Sequence, residues 1–309
     1  MPIESIAQVQ EGVFDVRLAV ETTGFEIGQL TKILFANNSI RDAGTLLDIE
    51  FPVDLVTAFA GPRHRLDGLR RRVGAEGRAL TCSSLKPQGM STADLGRLTQ
   101  GGIDYIKDDL GLADQRYRPF AHRIRACTEA IAAAGGRTRY VPSLSGHLDQ
   151  LCRQANIALG AGIDTVLVAP MVLGLPVVHA LVREFPNLAF MANPAMAGAA
   201  RIAPPLLLGK IFRLIGADAT IFSNHGDRFG YSPDVCRALA AAALDPRARY
   251  AATMPVPAGG VTLARTAEPL DFYGRDSMLL IGSELPMARA ELVEEALAFA
   301  RAVRQHPYR

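Results

Sequence analysis

Several short apolar segments of this 309-residue sequence end on groups that can hold or move protons, charges and phosphate. SSLKPQG places Lys86 directly after an apolar run and before Pro87. An amine held there at the end of a strand can have its pKa lowered towards the general-base range by partial burial and nearby cations. The same lysine could equally form a structural ion pair. In GGIDYIKDD, strand alternation sends Asp104 and Ile106 to one side and Ile103, Tyr105, Lys107 and Asp109 to the other, so Lys107 and Asp109 share a face. A lysine beside an acid is a salt bridge or, if carbamylated, an anionic site for a hard cation such as Mg2+. Spacing leaves both open. FSNHGDRFG gathers Asn224, His225, Asp227 and Arg228 between glycines and reads as a mobile active-site loop. His225 is an acid/base candidate there, or an idle loop histidine. Gly259 and Gly260 in AGG, and Gly282 with Ser283 in IGS, end two further runs. Glycine at such turns lets backbone N–H groups approach a phosphate, although it also simply ends strands.

These positions share an origin in the element pattern. From residue 79 onward, short apolar runs alternate with helical patterns, as expected of β-α units around a parallel sheet. Eight strand candidates can be counted, over residues 79–86, 103–109, 138–145, 165–172, 188–194, 219–224, 250–256 and 277–282. Most are continuously apolar, as strands covered on both faces must be. Amphipathic stretches such as HLDQLCRQANIALGAG and AELVEEALAFARAVRQ lie between or after them. Eight pairs favour a closed (β/α)8 TIM-type barrel over a doubly wound open sheet, and no GxGxxG follows the first strand. In a closed barrel the chemistry sits at the C-terminal strand ends, where Lys86, Lys107, Asp109, Ser145, His147, Asn193, His225, Gly259 and Gly282 all fall.

The first 60 or so residues differ. VFDVRLAVE reads as a strand, EIGQLTKILFAN as a helix and TLLDIEFPV as a second strand. This makes a small α+β piece, a partial ferredoxin-like unit with too little core to stand alone. The expected organisation is residues 1–60 as this piece, 61–78 as a connector whose arginines form a solvated helix face, and 79–309 as the barrel.

Thirty-three Lys and Arg against 31 Asp and Glu leave a formal charge of +2, which gives no single-signed field to attract nucleic acid or an anionic membrane. Four cysteines without a CxxC pair fit reduced, buried thiols. The amino end lacks the regions of a secretory signal, and the charge-free stretch 165–182 is broken by Pro170, Gly174 and Pro176, so a cytoplasmic protein without a membrane span is expected.

At these residues the chain resembles the RuBisCO large-chain superfamily, from about Val13 to the last helix, and within it the RuBisCO-like (type IV) proteins. GGIDYIKDD resembles the second-strand signature, which implies Lys107 as the carbamate position and Asp109 as a Mg2+ ligand. The glutamate that completes that metal set corresponds to Leu110, which cannot ligate a hard cation. SSLKPQG resembles the first-strand motif and implies proton transfer by Lys86, with Gln88 replacing a second lysine. Asn193 and Pro194 stand where the family has a histidine and a phosphate-holding arginine. PAGG resembles the phosphate turn after the seventh strand, and Gly282 and Ser283 replace the Gly-Gly of the eighth. Asn38 matches the asparagine that reaches into the partner's barrel, which implies a homodimer, although the matched amino-terminal region is shorter than the family's. NHGDRFG replaces the lysine of loop six, and without that electrophile CO2 addition is not expected.

The resemblance implies a lyase or isomerase acting on a phosphorylated keto sugar or 3-oxo sugar acid through enolisation, isomerisation or carbon–carbon cleavage. The wording of FSNHGDRFGYS and LDFYGRD is nearest to members of sugar-acid catabolism, while other members act on methylthio-sugar phosphates. Lys86 is expected as acid/base, Lys107 and Asp109 as the electrophilic or metal-binding side, and Asn193 and His225 as orienting groups. Arg228, Gly259, Gly260, Gly282 and Ser283 are the expected phosphate contacts. The alternative is a paralogue that kept the barrel, lost the chemistry and acts as a binding or regulatory subunit.

Overall fold

The computed structural model describes residues 3–35, 44–59, 61–86, 91–109, 111–282 and 291–308. An antiparallel hairpin, β1 (Ile3–Gln10) and β2 (Val13–Leu18), is followed by helices α1 (Ile27–Phe35), α2 (Val53–Phe59) and α3 (Arg65–Val73). Eight parallel strands then alternate with helices: β3 (Leu80–Leu85), β4 (Tyr105–Asp108), β5 (Arg139–Val141), β6 (Thr165–Val168), β7 (Ala189–Ala192), β8 (Ala219–Ser223), β9 (Met254–Ala258) and β10 (Met278–Ile281). Strand β10 pairs with both β3 and β9. A bridge between Ser143 and Leu167, with Leu144 N–H donating to the Leu167 carbonyl, joins β5 to β6 and closes the ring.

Alternation along these strands separates two cores. Leu80, Cys82, Tyr105, Val141, Leu167, Met191, Ile221, Val256 and Leu280 fill the barrel. The intervening residues, such as Leu85, Ile106, Val166, Phe190 and Phe222, pack under the outer helices. Ile103 belongs to that outer core because β4 begins only at Tyr105, so it does not share the inward face of Lys107 as simple alternation suggested. Seven of the eight strands also end earlier than the apolar runs, and the seventh runs on to Ala258. Residues 170–173 open a helix with Pro170 at its start, and the seventh barrel strand begins at Met254 instead of near Tyr250.

Helix α3 stops the N-terminal end of the barrel. Leu69 and Val73 pack with Leu80 and Tyr105, and the Tyr105 hydroxyl donates to the Leu69 carbonyl at 2.8 Å. The buried Asp218 accepts the N–H groups of His64 (2.7 Å), Arg65 (3.1 Å) and Phe190 (3.0 Å), tying the start of α3 to β7 and β8. The connector arginines are therefore not a uniformly solvated face. Arg70 is 7% exposed and donates to the Arg78 carbonyl and to Asp276.

The amino-terminal piece starts as a hairpin, not as a strand–helix–strand unit. Every residue of β1 is exposed. Residues 45–53 do not form the expected second strand. Leu46 alone makes a parallel bridge, to Ile202, no neighbouring strand extends it, and Pro52 leads directly into α2, whose Val56 N–H bonds the Pro52 carbonyl. Of the four free cysteines, Cys82, Cys127 and Cys236 are buried. Among the described residues, no helix is long and apolar enough to cross a membrane.

Candidate active site at the barrel mouth

Continuing the inward alternation past the C-terminal strand ends places Ser84 and Lys86, Lys107 and Asp109, Asn193, and Gly282 around one mouth. Lys86 and Asp109 meet there, with Nζ 2.8 Å from Oδ2 and side chains 34% and 26% exposed. Lys107 and Asp109 share the inward face, but the ion pair of Asp109 is with Lys86, because β3 and β4 run side by side with Leu85 level with Asp108. Burial pushes the Asp109 carboxyl up, but the bond from Lys86, the charges of Lys86 and Lys107, and the Gly111 N–H outweigh it and hold it below the usual carboxylate range.

Lys107 lies deeper, 5% exposed, and its Nζ donates to the Asp108 carbonyl at 3.0 Å. Burial lowers its pKa, aided by the Lys86 charge, while Cys82, Asp109 and Asp108 pull it back up. The net depression favours the neutral amine, the form that can take a proton or attack CO2. Asp108 points the other way and is fully buried. It is held by the Tyr140 hydroxyl (2.5 Å), the Arg123 guanidinium (3.1 Å) and the Ser143 N–H (2.9 Å). These partners come from a helix and from the next strand and the residues just after it, so the local pattern of GGIDYIKDD does not reveal them. This cluster fixes the turn from which Lys107 and Asp109 project.

Around the rim, the buried Asn193 commits its Oδ1 to the Ala195 N–H at 2.9 Å. The loop after β8 is anchored by the buried Asn224, whose Oδ1 accepts from the Tyr273 hydroxyl at 2.7 Å. The His225 ring packs 4.7 Å from Phe272, and its Nε2 is buried with no partner among the described residues. Arg228 is exposed, with its guanidinium 4.6 Å from the Phe229 ring centre, at the tip of the loop.

Gly259 and Gly260 both adopt left-handed backbone conformations, with φ of 86° and 64°, which glycine reaches without a steric penalty. Their lack of side chains has a second use. A Cβ on Gly259 would lie 2.5 Å from the Asp227 carboxylate, and one on Gly260 would lie 2.4 Å from the Gly226 carbonyl. The loop after β8 thus closes directly on the turn expected to hold phosphate, bringing a carboxylate against it. Asp227 stood out in the sequence only as one polar residue of that loop, and its place against Gly259 comes from the fold. Asn38, Pro87, Gln88, Leu110 and Ser283 lie outside the described residues.

The donor set bears on magnesium. Among the described residues no cluster of three His, Cys, Asp or Glu side chains could hold a metal. Asp109 is a carboxylate but is already paired, and Lys107 as an amine is no ligand for a hard cation. The set fits Mg2+ only if Lys107 carries a carbamate.

No family model matches the chain. It is 53% identical to the 5-methylthioribulose-1-phosphate isomerase of Rhodospirillum rubrum, over 97% of this chain and 83% of that protein. It is 33% identical to the 2,3-diketo-5-methylthiopentyl-1-phosphate enolase of Geobacillus kaustophilus, over 86% and 69%. The crystal structure of a Rubisco-like protein from Rhodopseudomonas palustris superposes with a TM-score of 0.90 and 48% identity, over 100% of this chain and 88% of that one.

Proposed function

This chain belongs to the RuBisCO-like proteins, as an enzyme of their isomerase and enolase kind and not a carboxylase, and from that premise we propose that it isomerises a methylthio-pentulose phosphate. Two of the similar proteins are named for methylthio-substituted five-carbon phosphates, which favours such a substrate over those of the sugar-acid members that the loop wording resembled. The observation that carries the reading is the cluster of Lys86, Asp109 and the buried Lys107 at the barrel mouth.

Isomerisation beside a carbonyl removes a proton from one carbon and returns it to another through an enediolate. Lys86 is the acid/base group. Its contact with Asp109 keeps it positioned until substrate enters. Lys107, the deeper amine, faces the oxygen on which charge develops, and Asp109 completes that side. Bound Mg2+ would supply Lewis acidity to the enediolate oxygen, and a carbamate on Lys107 together with Asp109 is what this chain offers to hold it. Gly259, Gly260 and Gly282 present backbone N–H groups to the substrate phosphate, Asn193 and His225 orient the sugar chain, and Arg228 swings in from the loop tip. Ser283 and Asn38 remain assigned by the family match.

A homodimer is part of the proposal. The hairpin β1–β2 carries Ile3, Ile6, Val9, Phe14 and Val16 at 45–63% exposure, an apolar surface of the kind that marks protein contacts. Light scattering on the purified protein measures its mass directly.

The deciding experiment follows 5-methylthioribulose 1-phosphate by 1H and 31P NMR in D2O, with and without bicarbonate, Mg2+ and chelator. Conversion to an isomer with deuterium gained at carbon is the expected result, and Lys86→Met slows it by orders of magnitude. Unchanged substrate in every condition, with the fold intact, would support the binding-subunit alternative.

A further inference from the structure

The opposite, N-terminal end of the barrel carries cations that the reaction at the mouth does not use. An open cleft of about 420 Å³ is lined by Arg63, His64, Gly68, Arg71 and Arg72, at the start and along one side of α3. Arg72 donates from Nη2 to His64 Nδ1 at 2.9 Å, so the ring carries its own proton on Nε2. That Nε2 and Arg72 Nη1 are both shielded from solvent, yet neither has a hydrogen-bond partner among the described residues. Buried donors are as a rule satisfied, by protein, water or a ligand.

Gly68 shows how the cations are grouped. The point that a Cβ would occupy there lies 3.7 Å from Arg72 Nη1 and 4.0 Å from Arg71 Nη2. A bare stretch of helix therefore leaves two guanidinium groups over one spot. The carboxylates nearby are already engaged. Asp164 is shared between Arg72 (3.3 Å) and Arg139 (3.6 Å), and the buried Asp218 is occupied by three backbone N–H groups. Arg63 and Arg71 are exposed and in no ion pair among the described residues.

We propose that this cleft binds a phosphate group, as the free ion or as a phosphate monoester, at a site separate from the catalytic mouth. Guanidinium groups suit tetrahedral oxyanions because each can donate two parallel N–H bonds. A phosphate in the cleft would bridge the exposed Arg63 and Arg71 to the Arg72–His64 pair and so link the stopper helix to its own N-terminal turn. The inference does not depend on the reaction assigned to the mouth.

The test is calorimetric titration of the full chain with inorganic phosphate, in parallel with glucose 6-phosphate, on wild type and on the double variant Arg63→Gln, Arg71→Gln. Both substitutions are on exposed side chains, and circular dichroism confirms folding. We expect the double variant to weaken one phosphate-binding event at least tenfold. Its phosphate-induced rise in melting temperature, ~2–4 °C for wild type at about ten times the dissociation constant, should be lost as well. Equal affinity of wild type for the two ligands identifies a monoester terminus as sufficient, and preference for inorganic phosphate identifies the free ion. Phosphate affinity and thermal shift unchanged by the double variant would overturn the proposal.

Discussion

The two ends of one barrel are built to opposite specifications. At the N-terminal end α3 fills the opening, Leu69 and Val73 complete the interior core, and Asp218 satisfies three N–H groups. At the C-terminal end the same interior alternation changes from apolar residues to Lys86, Lys107, Asp109 and Asn193, and a lysine is buried at 5% exposure. A buried ammonium is a thermodynamic burden, so the mouth gives up stability that the stopper end supplies. The lesson is that a parallel barrel can isolate chemistry from folding by placing them at opposite strand ends.

The sharpest test of that division is Lys86→Met, which should lower kcat/KM by ~10²–10⁴-fold, the usual contribution of a general acid/base, with the melting temperature little changed. A comparable loss of stability would mean that the Lys86–Asp109 pair is structural. At the other end, Leu69→Ala removes a fully buried side chain and should cost ~2–5 kcal/mol in denaturant unfolding, with kcat of the remaining folded enzyme unaltered.

Lys107→Met should abolish activity and stabilise the fold at neutral pH. The sign follows from the depressed pKa. Between the folded value and the unfolded ~10.4 the native chain binds fewer protons than the unfolded one, so wild-type stability rises with pH across that window. The advantage of Lys107→Met should therefore shrink as pH rises, and unfolding curves at several pH values check it. Tyr140→Phe leaves the buried Asp108 short of one donor and should cost ~1–3 kcal/mol, with a fall in kcat as the Lys107 turn loosens. The smallest effect is expected from Asp227→Asn. Removing the carboxylate beside Gly259 should lower KM for the phosphorylated substrate by a few-fold, on the order of 1 kcal/mol, and an unchanged KM would separate that turn from the phosphate.

Much of this was legible in one dimension. Strands covered on both faces need continuous apolar runs, so TVLV, AFMA and MLLI announce themselves locally, and counting eight such runs leads to the barrel and hence to the strand ends where Lys86, Lys107 and Asn193 stand. The hairpin strand Ile3–Gln10 was not legible. All its residues are exposed, so no burial pattern was written into it. Residues 45–53 misled for the opposite reason, since an apolar run becomes a strand only if a neighbour pairs with it.

The sequence by itself determined the barrel, the polar ring at its mouth and the residue types available for catalysis, because these depend on periodicity and on which side of a strand a residue faces. Only the tertiary structure decided the partnerships. Lys86 meets Asp109 across 23 positions of sequence, Asp108 finds Tyr140 and Arg123, and Asp227 comes to rest against Gly259. Charge–charge and hydrogen-bond energies depend on distances of a few ångströms between side chains from different strands, and the register of neighbouring strands sets those distances while the order of residues along the chain does not.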